Sequence, residues 1–278
     1  MTSDHRTMQV AGIVGWTLAH SRSPLVHGHW LHEHGIDGAY VKLPVRPGSL
    51  DVALRGMAAL GMRGCNVTVP HKEMAATIVD RLSARARAIG AANLVTVAED
   101  GTLDGDNTDA AGFIGSLRDA DPDWHAGRGP AVVVGAGGAA RAVAWALLDA
   151  GVPSLRLVNR TAARARELSF GAIDVVEWDD RARALEGAAL LVNTTVAGMA
   201  GNEPLDLDLA LLPRDALVSD VVYVPAMTPL LIAARARGNR IAPGLPMLLH
   251  QAAPAFYALF GVRPTVTPEL RALVQNSL

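Results

Sequence analysis

Short apolar runs alternate with amphipathic stretches along most of this chain. The runs are rich in valine and leucine and end at glycine, proline or polar residues, which is typical of buried strands. The stretches between them place apolar side chains three or four positions apart, as helices do. This alternation predicts an α/β fold with mostly parallel sheets. The predicted strands are Val10–Val14, Ala39–Leu43, Gly64–Val69, Asn93–Ala98, Thr102–Asp104, Ala131–Val134, Leu155–Val158, Val175–Val176, Leu190–Val192 and Leu217–Val221.

The predicted helices lie between and after these strands. They are Leu25–His34, Leu50–Leu60, Glu73–Ile89 with an interruption near Ser83, Ala139–Asp149, Ala162–Leu168, Thr228–Ala236, Leu245–Ala258 and Pro268–Val274. A polar stretch at Asp119–Pro130 separates the earlier elements from the later ones. Its composition predicts a linker between two α/β units.

Composition restricts the classes of partner. The chain has 278 residues, 50% of them hydrophobic, which suits a globular protein of two domains. Its 25 basic and 27 acidic residues give a formal net charge of −2, which argues against nucleic-acid or membrane-surface binding. Cys65 is the single cysteine, and neither a signal peptide nor a membrane-spanning run is evident, so we expect a cytoplasmic protein. A small molecule is the expected partner, and the chain is expected to be a monomer or a homodimer.

The run G-C-N-V-T-V-P-H-K, from Gly64 to Lys72, carries polar chemistry at the end of a strand. Asn66 and Thr68 lie on the face opposite the valines, and Pro70 ends the strand. An amide, a hydroxyl and an ammonium group at one place favour a site for a polyhydroxylated anion. On this segment alone, a surface turn with a solvated lysine is an equal alternative.

A glycine-rich turn follows the strand Ala131–Val134 and opens a helix. Its sequence, G-A-G-G-A-A, is the G-x-G-x-x-A form of the Rossmann dinucleotide fingerprint. The glycines allow the backbone to approach a pyrophosphate, and the helix N-terminus presents free N–H groups to it. The predicted cofactor-binding residues of the turn are Gly135, Ala136, Gly137, Gly138 and Ala139.

The end of the next strand predicts which dinucleotide binds. An NAD site places a carboxylate there, but this chain has Asn159, Arg160 and Thr161, followed by Arg164. A guanidinium group suits a 2′-phosphate, so the predicted cofactor is NADP. Arg166 is expected to lie on a solvated helix face.

Several further polar signatures stand at the ends of elements, where each alone could be a cap or a turn. They are Ser21-x-Ser23-Pro24, Gly90-Ala91-Ala92-Asn93, Gly105-Asp106-Asn107-Thr108-Asp109, Asp220-x-x-Tyr223-x-Pro225 with Thr228-Pro229, and Gly244-Leu245-Pro246-Met247-Leu248 before Gln251. Together with N-V-T-V-P-H-K, and in this order around a dinucleotide turn, they resemble the shikimate dehydrogenase family. The resemblance runs from about Val10 to Phe260.

The resemblance implies a binding site for shikimate and 3-dehydroshikimate. In it, the hydroxyls of Ser21 and Ser23 would bind the C1 carboxylate, with Tyr223 near that group. The ring hydroxyls would be bound by Thr68, Asn93 and Gln251. Asn66 is a weaker candidate with a structural alternative. Gly244 would join the cofactor-binding set.

The resemblance also implies a catalytic pair, Lys72 and Asp109, beside the C3 oxygen of the substrate. Reduction of a ketone gives its oxygen alkoxide character, which an ammonium group can stabilise and protonate. A neighbouring carboxylate would keep that amine protonated or share its proton. Which of the two groups transfers the proton stays open.

Family members have a discontinuous substrate domain, which here would comprise residues 1–108 plus 243–278, with the Rossmann domain at 109–242. Two positions depart from the family pattern: Leu94 replaces a threonine and Ala110 a glycine. The alternatives are a paralogue acting on quinate or a related acid, and a non-catalytic NADP-sensing module.

A metal site is not expected. His27, His29, His32 and His34 do not converge on one helix face, so a polar helix face is favoured. His71 is not favoured as a general acid, and Cys65 is expected in the core.

Overall fold

The computed structural model describes residues 8–168 and 170–278. The polar start of the sequence, residues 1–7, lies outside the described residues. The chain divides into two compact units, one running to Thr108 and including Ala252–Ser277, the other comprising Asp109–Gln251. Each unit contains one six-stranded sheet, and the predicted α/β class is confirmed. The finer domain boundary at 242/243 stays a prediction. Among the described residues no helix has the length and apolar character to cross a membrane.

The first unit begins with an alternation of strands and helices. They are β1 (Gln9–Gly15), α1 (Ser23–Glu33), β2 (Gly38–Pro44), α2 (Leu50–Ala59), β3 (Gly64–Val67), α3 (Lys72–Ile78), β4 (Arg81–Leu82), α4 (Ala84–Ile89), β5 (Leu94–Val97) and β6 (Leu103–Asp106). The sheet order is β2-β1-β3-β5-β6-β4. β1 is parallel to β2 and β3, whereas β5 is antiparallel to β3 and β6.

The second unit is built around a wholly parallel sheet. Its elements are α5 (Asp109–Ala120), β7 (Ala131–Val134), α6 (Gly138–Asp149), β8 (Leu155–Val158), α7 (Ala162–Arg166), β9 (Ile173–Val176), β10 (Leu190–Asn193), β11 (Leu217–Asp220), α8 (Pro229–Ala236) and β12 (Arg240–Ala242). The order β12-β11-β10-β7-β8-β9 is the Rossmann order. One half of this sheet is built outwards from β7 through β8 to β9, and the other half is built in the opposite direction from β10 through β11 to β12. Sheets of this order bind a dinucleotide at the carboxyl ends of the two central strands, here β7 and β10.

Two helices complete the chain, α9 (Gly244–Phe260) and α10 (Pro268–Gln275). Apolar side chains fill both cores, as the near-continuous apolar strands β7 and β10 require of a parallel sheet. In the first unit Val14, Leu54 and Val95 belong to one buried cluster beneath the sheet.

The structure refines one element prediction, overturns another and adds elements that were not predicted. The interruption predicted near Ser83 in the stretch Glu73–Ile89 is present: two short helices are separated by β4, and Ser83 caps the second by accepting a hydrogen bond from the Ala86 N–H. The stretch Asp119–Pro130 is not a linker, because it lies inside the second unit, where Asp121 is buried. β4, α5 and β12 were not predicted.

Candidate functional site

In the first unit, the predicted substrate residues Ser21, Ser23 and Thr68 follow the carboxyl ends of β1 and β3, and Asn93 directly precedes β5. These strands pair in parallel, and the Thr68 N–H donates to the Val14 carbonyl at 2.8 Å. Gly15 is required here, because a Cβ atom at this position would lie 2.5 Å from Cγ2 of Thr68. The close approach places Thr68 beside the loop that leads to Ser21.

Ser21 and Ser23 lie together at the start of α1. The Ser23 N–H donates to Oγ of Ser21 at 3.4 Å, and Ser23 is buried. The intervening Arg22 side chain turns away, since its Nε donates to the carbonyl of Ser277 at 3.1 Å and to its hydroxyl at 2.9 Å. Two hydroxyl groups therefore stand at the N-terminus of a helix, whose partial positive charge suits a carboxylate.

Lys72 is the first residue of α3, one turn beyond Thr68. The peptide bond between Val69 and Pro70 is cis, and the His71 N–H donates to the Thr68 carbonyl at 2.9 Å. The Lys72 carbonyl accepts from the Ala92 N–H at 2.8 Å, which brings its backbone next to that of Asn93. Thr68, Lys72 and Asn93 are thus neighbours in the first unit. The ring of His71 is buried against the Val45 carbonyl, consistent with its rejection as an acid.

The side-chain amide of Asn93 is buried and bonded to Thr108, a partner that the sequence did not reveal. Its oxygen accepts from the Thr108 N–H at 2.7 Å, and its nitrogen donates to the Thr108 hydroxyl at 3.0 Å. The Asn93 carbonyl also accepts from Nδ2 of Asn66 at 3.2 Å. This supports the structural alternative for Asn66. Asn93 thus holds Thr108, the residue directly before Asp109, in place.

Tyr40 and His27 form a buried layer behind Asn66. The Tyr40 hydroxyl donates to Oδ1 of Asn66 at 2.7 Å, and the rings of His27 and Tyr40 stack at 3.9 Å. Burial lowers the pKa of His27 to about 3 and raises that of Tyr40 well above its usual value. His27 is therefore a neutral core residue, and its expected place on a polar helix face is wrong. No cluster of metal-binding side chains occurs among residues 8–168 and 170–278.

In the second unit, the glycine-rich turn lies between the ends of β7 and β10. Gly135 has a φ of +119°, and a Cβ atom there would lie 2.4 Å from the Thr194 hydroxyl. Gly137 precedes the first turn of α6 in an extended conformation, with open space where a Cβ atom would lie. The turn therefore presents bare backbone and the N-terminus of α6, which fits a pyrophosphate. Thr194 was not predicted, and the polar N-T-T at the end of β10 was the available signal.

The tip of β8 carries the residues expected to distinguish NADP from NAD. The Asn159 side chain donates to the Thr161 carbonyl at 2.8 Å, and this hydrogen bond joins the two ends of the turn 159–161. Arg160 and Arg164 are exposed near it. Arg166 is also exposed but forms an ion pair with Glu177, which agrees with its expected place on the solvated helix face.

In the second unit, α5, which begins at Asp109, packs against α9 near Gln251. A Cβ atom at Gly112 would lie 2.6 Å from Cβ of Gln251, so α5 and α9 are in close contact at this point. Asp109 lies one turn earlier on α5, on the same side as Gly112, and is buried.

The start of α9 lies against the end of β11, near the segment that holds Tyr223. A Cβ atom at Gly244 would lie 2.5 Å from the carbonyl oxygens of Val221 and Val222. A glycine is required here for close packing. Whether Gly244 also contacts a cofactor stays a prediction, and Tyr223 is half-buried.

A Rossmann-ordered parallel sheet with a glycine-rich turn at its reversal point defines a dinucleotide-binding α/β protein. The polar groups at the strand ends of the first unit form a second candidate site, whose chemistry suits a hydroxylated carboxylate.

The comparisons identify the family within that class. Residues 13–95 match the family model described as the shikimate dehydrogenase substrate binding domain. Over 269 residues, 96% of this chain and 98% of the relative, the chain is 55% identical to the shikimate dehydrogenase (NADP(+)) of Paramagnetospirillum magneticum. The chain therefore belongs to the shikimate dehydrogenase family, and the predicted resemblance is confirmed.

Two solved structures are similar over nearly the whole chain. The shikimate 5-dehydrogenase of Thermus thermophilus, in complex with NADP(H) and shikimate, has a TM-score of 0.85 and 36% identity, covering 98% of this chain and 100% of that one. The quinate dehydrogenase of Corynebacterium glutamicum, in complex with NAD, has a TM-score of 0.87 and 32% identity, covering 98% and 99%.

Proposed function

We propose that the protein catalyses the reversible, NADP-dependent interconversion of 3-dehydroshikimate and shikimate, a step of aromatic amino-acid biosynthesis. The observation that carries the proposal is the group of polar residues at the strand ends of the first unit, Ser21, Ser23, Thr68, Lys72 and Asn93, in a chain of this family. A cytoplasmic location and a monomeric or homodimeric state stay predictions.

The substrate residues supply complementary chemistry. The hydroxyls of Ser21 and Ser23, next to the N-terminus of α1, would bind the C1 carboxylate, with Tyr223 near it. Thr68, Asn93 and Gln251 would bind the ring hydroxyls. The hydrogen bonds between the Asn93 amide and Thr108 would hold that amide in one orientation towards the substrate.

Lys72 and Asp109 would act as the acid–base pair at C3. NADPH, when bound, supplies the hydride that forms the new C–H bond. The ketone oxygen then takes one proton from the pair, and in the oxidative direction the pair removes it again. The Lys72 ammonium would stabilise the developing negative charge on the oxygen, and the Asp109 carboxylate would hold that ammonium in place.

The residues present fit NADP. The turn 135–138 offers bare backbone to the pyrophosphate, and Arg160 and Arg164 are exposed near the tip of β8, where a 2′-phosphate would be recognised. Asn159 stands in the place of the carboxylate that would favour NAD.

A quinate dehydrogenase activity is the second candidate, favoured by the similarity to the Corynebacterium enzyme. Retention of both serines, Ser21 and Ser23, favours shikimate. Absorbance at the nicotinamide band, with shikimate or quinate crossed against NADP⁺ or NAD⁺, separates the candidates. We expect rapid reduction with shikimate and NADP⁺ alone. Preference for quinate would support the second candidate, and cofactor binding without turnover on any of these acids would support the NADP-sensing module.

The catalytic pair can be tested with Lys72→Ala. We expect a fall in kcat of roughly 10²-fold or more, with the affinity for NADPH nearly unchanged. Lys42→Ala is the comparison variant, because Lys42 is the one other lysine and is exposed; its Nζ donates to the Ala19 carbonyl at 3.0 Å, so its loss should act on the KM for the substrate rather than on kcat. Near-normal turnover of the Lys72→Ala variant would contradict the assignment.

A further inference from the structure

The glycine-rich turn is held on one side by residues 194–198, which we call the β10 loop. Thr194 donates twice to the carbonyl of Val134, the last residue of β7, from its N–H at 2.9 Å and from its hydroxyl at 2.6 Å. Because Gly135 has no Cβ atom, the Thr194 hydroxyl can lie directly against the turn. The position of the β10 loop therefore fixes one wall of the turn.

Asn193 fastens the β10 loop from the protein interior. It is fully buried, and its side-chain oxygen accepts from the N–H and the hydroxyl of Thr195 at 3.0 and 2.7 Å. Its side-chain nitrogen donates to the carbonyl of Ala197 at 3.1 Å. One amide thus makes three hydrogen bonds to the loop. Its removal would leave these polar groups without that partner.

Asp220 supports the orientation of the Asn193 amide that Thr195 and Ala197 also require. The register of β10 and β11 places the two residues side by side, and Oδ1 of Asp220 accepts from Nδ2 of Asn193 at 3.1 Å. An ionised carboxylate only accepts hydrogen bonds, so the nitrogen of the amide must face it and the oxygen must face Thr195. Asp220 is itself buried and held by the Thr228 hydroxyl at 2.7 Å.

We propose that Asn193 and Asp220 are positioning residues for the dinucleotide. They hold the β10 loop against the turn in the geometry that binds NADP(H), without touching the cofactor themselves. The proposal rests on the proposed function, because it requires NADP(H) to bind at the turn 135–138.

The test measures the Kd of NADPH by fluorescence titration for the wild-type protein, Asn193→Ala and Asn239→Ala. Asn239 is a matched control, because it is also a buried asparagine of the second unit and donates to the carbonyls of Pro213, Arg214 and Ala216. It precedes β12, at the amino ends of the strands, whereas the turn lies at their carboxyl ends. We expect a roughly tenfold higher Kd for Asn193→Ala and a wild-type Kd for Asn239→Ala.

Two further variants keep the test decisive if Asn193→Ala does not fold. Thr195→Val replaces the hydroxyl of a half-buried residue with a methyl group and should raise the Kd several-fold. Asp220→Asn keeps an oxygen that can accept from Asn193, so its Kd should stay near the wild-type value, whereas Asp220→Ala should raise it. Wild-type affinity in both Asn193→Ala and Thr195→Val, or equal loss in Asn239→Ala, would overturn the proposal. A wild-type protein that fails to bind NADPH would instead overturn the proposed function.

Discussion

Asp220 is a buried acid whose bonded partners are all neutral, so its ionisation should lower the stability of the fold. Burial raises its pKa from 3.8 to about 6, while hydrogen bonds from the Val222 N–H, the Thr228 hydroxyl and the Asn193 amide oppose the rise. Between these two pH values the folded state keeps a proton that the unfolded state has lost. The contribution of Asp220 to the free energy of unfolding therefore falls as pH rises through this window, by about 3 kcal/mol in total.

Asp220→Asn isolates this effect, because it preserves the shape of the side chain and removes the charge. Its free energy of unfolding should equal that of the wild type near pH 4 and exceed it progressively up to about pH 6. Above that pH the difference should stay constant at up to about 3 kcal/mol. Urea unfolding at half-unit pH steps, followed by tryptophan fluorescence, measures the difference directly.

Asp206→Asn provides the control, because that carboxylate pairs with Arg181 at the surface and its side chain is 79% exposed. Its difference from the wild type should show no rise between pH 4 and 6. Parallel stability curves for Asp220→Asn and the wild type would refute the reasoning. A wild-type protein that gains stability relative to Asp220→Asn as pH rises would show that the hydrogen bonds outweigh the burial.

Three further predictions concern the cofactor site and the core. Arg160→Ser should raise the KM for NADP⁺ roughly tenfold and leave that for NAD⁺ unchanged, whereas Arg166→Ser should change neither, as initial rates will show. Gly135→Ala should weaken NADPH binding by at least about tenfold, because the new Cβ atom would meet Thr194. Gly187→Ala is the control in the same titration. Gly187 also has a positive φ, but no atom lies within 4 Å of the place of its new Cβ atom, so this variant reports backbone strain alone. Cys65 should resist thiol reagents at pH 8 until urea is added, since it is fully buried and burial raises its pKa to about 12; rapid labelling of the native protein would contradict this.

Strong local signals made most of the elements predictable. Thr228-Pro229 and Thr267-Pro268 each begin a helix with a threonine cap, as their sequences indicate. α5 escaped prediction because Gly112 and Gly115 weaken its helical pattern. Both glycines are explained by tertiary packing, since Cβ atoms there would lie 2.6 Å from Gln251 and 2.9 Å from His250 of α9.

The predicted linker failed because composition does not reveal which charges are paired. Asp121 is buried, and its carboxylate forms ion pairs with both Arg128 and Arg240. Burial alone would raise the pKa of Asp121, but the two guanidinium groups hold it below its usual value. Arg240 lies more than a hundred residues away in the chain. The polar stretch is thus fastened to the sheet by a contact that no local pattern contains.

The candidate site separates in the same way into local and long-range parts. Lys72 and Gly135 were predicted because their motifs are contiguous, whereas the bonds of Asn93 to Thr108 and of Asn193 to Asp220 join distant segments. The second bond nevertheless follows a rule that can be applied to sequence. Consecutive strands of a parallel sheet end at the same edge, so a polar residue that closes each of two neighbouring strands is expected to meet its counterpart. The sequences Leu-Leu-Val-Asn of β10 and Leu-Val-Ser-Asp of β11 both satisfy that rule. Because the Asp220 carboxylate accepts hydrogen bonds, the amide nitrogen of Asn193 faces it and the amide oxygen faces Thr195.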